Sequence, residues 1–186
     1  MVDITYENLP AGIPADTDIF PTQKPGGVTQ KYTLDDIRIA MRAAAEAHSS
    51  ADYTMLAVTS TPEKLNGYDA ADTAVGITAT LVPTAGSNTA SFVINADKDG
   101  VYRVTFNIEV ESNTNESIDF VLNVNGFPTE FKTGIDLNNA ATDRGNAGIN
   151  TFLTVVATDV IEMYINTDGS NMDILIDSLT FTAQRI

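Results

Sequence analysis

Carboxylates are abundant in this chain, whereas histidine and cysteine, common catalytic bases and nucleophiles, are nearly absent. It contains no cysteine and a single histidine, His48, which excludes disulfides, thiolate nucleophiles and cysteine-based zinc sites. The residue types present do not exclude a Ser-His-Asp triad through His48, but the sequence has no Gly-x-Ser-x-Gly turn to present a serine nucleophile. An imidazole near the end of a helix is the simpler interpretation of His48. We therefore expect no enzymatic activity and no cofactor.

Two oxygen-rich segments have the composition of calcium-binding loops. Residues 97–100 and 168–173 combine aspartate with glycine. Neither segment completes the EF-hand pattern with its closing glutamate, and hairpin turns require the same residue types. Paired carboxylates can also hydrolyse glycosidic bonds, but nothing in the sequence indicates the long cleft that such an enzyme would need. We therefore predict turns in both segments, and no metal site.

A long polar segment, residues 136–146, is the candidate ligand-binding loop. It exceeds the usual length of a connection, and long loops often have functional roles. Its carboxylate, amide and guanidinium groups suit a receptor, a sugar or a neighbouring protein. The candidate ligand residues are Asp136, Asn138, Asn139, Asp143 and Arg144.

The charge balance excludes two classes of partner. The chain has 10 Lys and Arg against 25 Asp and Glu, a formal charge of -15. Such a chain is repelled by a phosphate backbone and by an anionic bilayer, so neither nucleic acid nor a membrane is expected as a partner. The first residues, MVDITYENLP, lack a basic region followed by an apolar run, and no apolar run is long enough to cross a bilayer.

The C-terminal two-thirds of the chain shows the period of two that is typical of β-strands. In residues 101–111 apolar side chains alternate with polar ones, so that one face of the strand is buried and the other is exposed to solvent. The pattern recurs before the turns at Asn125-Gly126 and Asp168-Gly169. Further strands are predicted at 54–60, 75–82, 90–95, 127–133, 149–156 and 172–183. This many short strands indicates a mainly β fold, an antiparallel sandwich of the Greek-key or jelly-roll type.

The N-terminal third has a different character. Pro10, Gly12 and Pro14 predict an irregular arm, and residues 18–23 and 28–33 flank a Pro-Gly-Gly turn as a small hairpin. A helix is predicted from Thr33. Its apolar stripe comprises Leu34, Ile37, Met41, Ala44 and His48. The sequence therefore predicts two parts, an arm, hairpin and helix at 1–52 and a β domain at 53–186.

Residues 18–21 (DIFP) and 26–37 (GGVTQKYTLDDI) resemble a small module of phage tail fibre, tailspike and related appendage proteins. In that module an acidic, apolar and Pro-containing strand precedes a Gly-Gly-Val-Thr turn, a strand and a short helix. The resemblance implies a docking role for residues 1–52, in contact with other virion proteins of the tail or capsid. The implied docking residues are Ile19, Phe20, Pro21, Val28, Tyr32, Leu34, Ile37 and Met41.

Residues 53–186 resemble trimeric jelly rolls of the tumour-necrosis-factor and complement-head type. The matching pieces are residues 99–106 (DGVYRVTF), the Val124-Asn125-Gly126 turn, residues 158–165 (TDVIEMYI) and the last strand. Thr158 stands where such folds often have glycine. The resemblance implies a homotrimer.

Together these resemblances imply a structural component of a tailed-phage virion, assembled in the host cytoplasm. It would be a homotrimeric fibre or adaptor, or a capsid-decoration protein, attached through its N-terminal segment. The alternative is an adhesin at the tip of a tail fibre, which binds a host surface glycan through residues 136–146.

Overall fold

The structure is a computed structural model. It describes residues 19–23, 29–33, 44–49, 51–73, 76–84, 87–95, 98–112, 117–137, 143–169 and 172–186. The chain divides into two compact units, residues 1–41 and residues 42–186.

The first unit contains the predicted hairpin. Strands β1 (Ile19–Gln23) and β2 (Thr29–Thr33) pair antiparallel, with Ile19 opposite Thr33 and Gln23 opposite Thr29. Among the implied docking residues, Ile19, Phe20 and Pro21 lie on β1, and Tyr32 lies opposite Phe20 on β2. The others, Val28, Leu34, Ile37 and Met41, lie outside the described residues.

The second unit consists of antiparallel strands in two sheets. The strands are β3 (Ala44–Ser49), β4 (Tyr53–Val58), β5 (Glu63–Lys64), β6 (Asn66–Tyr68), β7 (Ala70–Thr73), β8 (Ile77–Thr84), β9 (Ser87–Ile94), β10 (Gly100–Ser112), β11 (Ser117–Val124), β12 (Phe127–Asp136), β13 (Asp143–Val155), β14 (Val160–Thr167) and β15 (Met172–Arg185). Sheet I has the order β13-β10-β15-β3-β7, with β4 also paired to β15. Sheet II has the order β12-β11-β14-β9-β6, with β5 beside β14 and β8 beside β9. The predicted antiparallel jelly-roll sandwich is confirmed.

The core lies between the two sheets because alternate side chains of each strand point inward. Along β10, burial alternates as the sequence predicts, with Val104 and Phe106 fully buried. Phe106 packs on Phe120 of sheet II with ring centroids 5.5 Å apart, and Phe92 of sheet II stacks on Phe181 of sheet I at 4.5 Å. These aromatic pairs join the two layers. Because large aromatic side chains bury the most apolar area, they contribute strongly to the stability of the domain.

The helix predicted from Thr33 is wrong for its second half, since Ala44 and His48 lie on β3. This strand pairs with β15, Gln184 opposite Ala44 and Leu179 opposite Ser49, and with β7 on its other side. Burial follows the strand period, with Ala45 and Ala47 buried. Alanine favours helix locally, but hydrogen bonds to the backbone of β15 stabilise the extended conformation. The described residues contain no helix, and β3 belongs to the sandwich rather than to the N-terminal part.

The sandwich has two ends. At the Gly100 end β10, β12 and β14 begin and β11, β13 and β15 end; at the opposite Ser112 end these relations are reversed.

Candidate subunit interface

The predicted ligand-binding loop is shorter than residues 136–146. Asp143 and Arg144 pair with Ser112 and Glu111 at the start of β13, and Asp136 pairs with Ser117 at the end of β12. These three candidates are therefore strand residues, because β10 and β11 extend far enough to pair with them. Asn138 and Asn139 lie outside the described residues.

Two of these strand residues, Asp136 and Arg144, have side chains that are engaged within the molecule. Asp136 Oδ1 accepts a hydrogen bond from the Ser117 hydroxyl at 2.5 Å. Arg144 Nε donates to Glu111 Oε2 at 2.9 Å, and its Nη1 lies 3.5 Å from Asp177 Oδ2. The hydrogen bond with Glu111, helped by the Asp177 charge, raises the pKa of Arg144. Arg144 thus neutralises part of an acidic cluster at the Ser112 end.

The carboxylates of the two oxygen-rich segments also accept hydrogen bonds from the backbone of the sandwich. Asp99 Oδ1 accepts from the Ala157 amide at 2.6 Å, and Asp168 Oδ1 accepts from the Ser117 amide at 3.0 Å. Within the described part of the chain, no three His, Asp or Glu side chains are grouped to hold a metal ion. His48 points outward on β3 opposite Thr180, with its Nδ1 3.7 Å from Glu46 Oε1. In that same described part there is no helix with the length and apolarity needed to cross a bilayer.

A buried polar cluster lies on the outer side of sheet II. Glu162 is buried and its Oε1 accepts hydrogen bonds from Lys64 Nζ and from the Ser91 hydroxyl, each at 2.6 Å. The bond to Glu162 raises the pKa of Lys64, although partial burial opposes this. Asn123 is buried opposite Glu162 on the neighbouring strand. Because one carboxylate joins β5, β9 and β14, the cluster aligns these strands.

Part of the outer side of sheet I lacks acidic residues, although the exposed Glu46 of β3 lies at its border, opposite Thr182. On the three adjacent strands β13, β10 and β15, the outward side chains toward the Gly100 end carry no carboxylate. This acid-free face comprises Val101, Arg103, Thr105, Asn107, Gly148, Asn150, Phe152, Thr154, Thr180, Thr182, Gln184 and, just beyond β15, Ile186. In a chain with 25 acidic residues, two copies repel each other less across an area without carboxylates than across an acidic one.

The acid-free face also exposes large apolar side chains. Phe152 is 60% exposed, Ile186 71% and Val101 38%. They are neighbours, since Val101 lies opposite Thr154, two residues from Phe152, and the Ile186 amide donates to the Val101 carbonyl at 3.1 Å. Adjoining exposed apolar side chains of this kind mark interaction surfaces more often than isolated ones do.

Arg103 also belongs to the acid-free face. It lies opposite Phe152, and its Nε donates to Asn150 Oδ1 at 3.0 Å. The contact anchors the guanidinium to β13. Aromatic residues and arginine are enriched in protein–protein interfaces, while acidic residues are depleted from them. The arrangement can therefore bind a protein surface.

Comparison with known proteins supports the fold and nothing finer. No protein-family model matches the chain, and no curated protein matches it. A solved structure described as the structure of Eiger TNF from S. frugiperda aligns with a TM-score of 0.51 at 15% identity. The alignment covers 78% of this chain and 93% of that one.

The sandwich has a TNF-like jelly-roll fold. An identity this low establishes the architecture alone. The comparison therefore confirms the jelly roll that the sequence predicts, and what this TNF-like sandwich does must be argued from its own surface.

Proposed function

We propose that this chain is a homotrimeric structural protein of a tailed-phage virion, a fibre or adaptor or a capsid decoration. Three sandwiches associate through the acid-free face, and the N-terminal unit attaches the trimer to the particle. The acid-free face with its exposed Phe152 carries the proposal, because a monomer of charge -15 has no need of an uncharged apolar area. The threefold arrangement and the phage origin rest on the resemblances described above.

The proposed role is mechanical. A trimer presents three N-terminal hairpins to one particle, so weak single contacts combine through effective concentration. The association buries the Phe152 ring, for which the hydrophobic free energy is on the order of 1–2 kcal/mol per copy. No catalytic step is required of any residue.

The self-association is tested by Phe152→Asp. Sedimentation velocity should give a trimer for the unaltered chain and a monomer for the variant, because each interface would then bury an unpaired charge. The melting temperature of the isolated sandwich should change little, since Phe152 points outward. Thr80→Asp, which adds the same charge on the exposed outer side of sheet II, is the matched control and should remain trimeric. A monomeric unaltered chain, or equal effects of both substitutions, would contradict the proposal.

Attachment is tested with phage particles assembled without this chain. The full chain should bind them and the fragment 42–186 should not, with both measured by co-sedimentation. If the fragment instead bound host cells and was displaced by host surface polysaccharide, the adhesin alternative would replace this proposal.

A further inference from the structure

The sequence contains two asparagine–glycine pairs, and the fold gives them different surroundings. They are Asn66-Gly67 on β6 and Asn125-Gly126 in the turn between β11 and β12. An asparagine before glycine is prone to lose its side-chain amide, because glycine has no side chain to hinder attack by its own backbone nitrogen. The two pairs therefore have similar intrinsic reactivity, and a difference between them comes from the structure.

The loss of the amide consumes one water molecule and releases one ammonia molecule. The glycine backbone nitrogen gives its proton to hydroxide and bonds to Cγ of the asparagine. The bond between Cγ and Nδ2 then breaks, and Nδ2 leaves as ammonia after it takes a proton from water. A five-membered succinimide ring remains. Water opens this ring at either of its two carbonyl carbons, so the product is aspartate or isoaspartate, and nothing is oxidised or reduced.

The pair Asn125-Gly126 is open to solvent. Both residues are exposed. Apart from chain neighbours, no heavy atom of the described residues lies within 4 Å of the place where a Cβ on Gly126 would be. Water and hydroxide therefore reach the pair, and the peptide group between the two residues can rotate without a steric clash.

The conformation of the turn keeps the reacting atoms apart. Asn125 and Gly126 have φ values of 54° and 79°, and positive φ at both central residues is typical of a type I′ turn. This turn is the mirror image of type I, so ψ of its first central residue is about +30°. At that angle the Gly126 nitrogen points away from Cβ of Asn125. Ring closure therefore requires the peptide group to rotate first.

The side chain of Asn125 is held as well. Its Nδ2 donates to Asp159 Oδ1 at 2.7 Å, and its Oδ1 accepts from the Val160 amide at 2.9 Å. The Asp159 carboxylate is itself fixed, because its Oδ2 accepts from the Val156 amide at 2.9 Å. Hydrogen bonds to an ionised group are among the stronger ones in proteins. Movement of Cγ toward the Gly126 nitrogen therefore requires these bonds to break.

The pair Asn66-Gly67 is protected in another way. Asn66 is half-buried and Gly67 is buried. The Gly67 amide donates to the Ser87 hydroxyl at 2.9 Å, and a Cβ on Gly67 would lie 2.9 Å from Cδ1 of Ile176. Because the core fills the space around this backbone, the Gly67 nitrogen can attack only after β6 leaves the sandwich. Asn66 therefore serves as an internal reference that reports unfolding.

From these observations we propose that Asn125 is a site of spontaneous deamidation that the fold keeps latent. The Asp159 carboxylate acts as the latch. Local opening of the turn, without unfolding of the sandwich, brings Cγ of Asn125 within reach of the Gly126 nitrogen. This inference does not depend on the proposed function.

Conversion of Asn125 would remove the contact that protects it. The aspartate product has an oxygen in place of Nδ2, so a second carboxylate would lie against Asp159 Oδ1 with no hydrogen between them, and like charges repel. The isoaspartate product inserts a methylene group into the backbone of the tight turn. In either product the turn before β12 separates from the turn before β14.

The test follows both asparagines of the full chain by peptide mass spectrometry, in mildly alkaline buffer with and without urea. In urea the two should convert at similar rates. In the folded chain both should be slower, and Asn125 should convert well before Asn66. Asp159→Ala should raise the folded-state rate at Asn125 by about tenfold, the effect of one hydrogen bond to a charged group on an equilibrium, and leave Asn66 unchanged. Asp168→Ala, which removes a carboxylate that accepts from a backbone amide at the Ser112 end, is the matched control and should change neither rate.

The effect of the product is tested by exchange of the two side chains. Asn125→Asp should lower the melting temperature, because it places two carboxylates in contact. Asn125→Asp combined with Asp159→Asn should restore it, since the amide on residue 159 can then donate to the carboxylate on residue 125. The turn itself tolerates the change, because Asp-Gly and Asn-Gly both favour a type I′ turn.

Four results would overturn this assignment. Absence of conversion at Asn125 in urea would exclude the site. Equal rates at Asn125 with and without urea would show that the fold provides no latch. Equal acceleration of Asn125 and Asn66 by Asp159→Ala would show that the carboxylate protects the whole sandwich rather than one turn. An unchanged melting temperature in Asn125→Asp would show that the product leaves the two turns joined.

Discussion

At the scale of single residues, two positions depart from what their residue types prefer. Thr158 has a φ of 74°, in the left-handed region that a β-branched residue rarely adopts. Tyr68 is buried, and its hydroxyl has no hydrogen-bond partner among the described residues. Both features lower the stability of the sandwich, and each can be removed by one substitution.

Replacing Thr158 by glycine should stabilise the sandwich. Glycine adopts a positive φ without the steric conflict, which costs about 1 kcal/mol for other residues. We expect the free energy of unfolding in urea to rise by about 1 kcal/mol. Thr154→Gly, on the exposed side of β13, is the control and should lower it, since glycine weakens a strand interior. A loss of stability in Thr158→Gly would show that the Thr158 side chain compensates for its backbone.

Replacing Tyr68 by phenylalanine should stabilise the sandwich by about 1 kcal/mol at neutral pH, because a buried hydroxyl without a partner is removed. Burial raises the pKa of Tyr68 above its ordinary value of 10.0. Because the pKa of Tyr68 is higher in the folded state, the contribution of its neutral hydroxyl to stability is fully present below pH 10. This contribution is lost as the pH rises above 10, where Tyr68 ionises in the unfolded chain. The advantage of Tyr68→Phe should therefore grow by about 1.4 kcal/mol per pH unit above 10. Urea denaturation between neutral pH and pH 11 would measure it, and a constant difference would contradict the burial of this hydroxyl.

At the scale of elements, β3 decides where the domain begins. It lies between β15 and β7 in sheet I, and its buried Ala45 and Ala47 cover the core. A domain cut at 52/53, as the change of period in the sequence predicts, would remove an internal strand. It would leave residues 179–184 of β15 unpaired on that side and the core beneath them open to water.

The two truncations should therefore behave differently. The fragment 42–186 retains β3 and should melt cooperatively, with a near-native β-sheet circular dichroism spectrum. The fragment 53–186 should lose cooperative melting or aggregate, because an unpaired central edge and exposed apolar surface promote association. Equal stability of the two fragments would show that β3 adds nothing to sheet I.

At the scale of the whole molecule, charge opposes the proposed assembly, whereas the acid-free face would favour it. Three copies of a chain with a charge of -15 repel one another over distances longer than any contact. The proposed interface contains apolar and uncharged polar side chains with Arg103, so it offers few ion pairs that salt could screen. Salt should therefore act mainly on the repulsion.

Raising the NaCl concentration from about 20 to about 200 mM should strengthen the association of the trimer. The trimer–monomer equilibrium, followed by sedimentation equilibrium, should shift toward trimer as repulsion is screened. Arg103→Gln should show the same direction of change. Weaker association at higher salt would indicate that ion pairs across the interface drive assembly.

The sequence by itself determined the features that depend on neighbours in the chain. The alternation in residues 101–111, the Asn125-Gly126 turn and the hairpin of β1 and β2 all agree with the structure, because a period of two and a left-handed turn are local properties. Only the tertiary structure decided the features that depend on distant strands. It made residues 44–49 a strand rather than a helix, since β15 supplies their hydrogen-bonding partners from the far end of the chain. It also assembled the acid-free face from β10, β13 and β15, whose outward residues become neighbours only when the sheet forms.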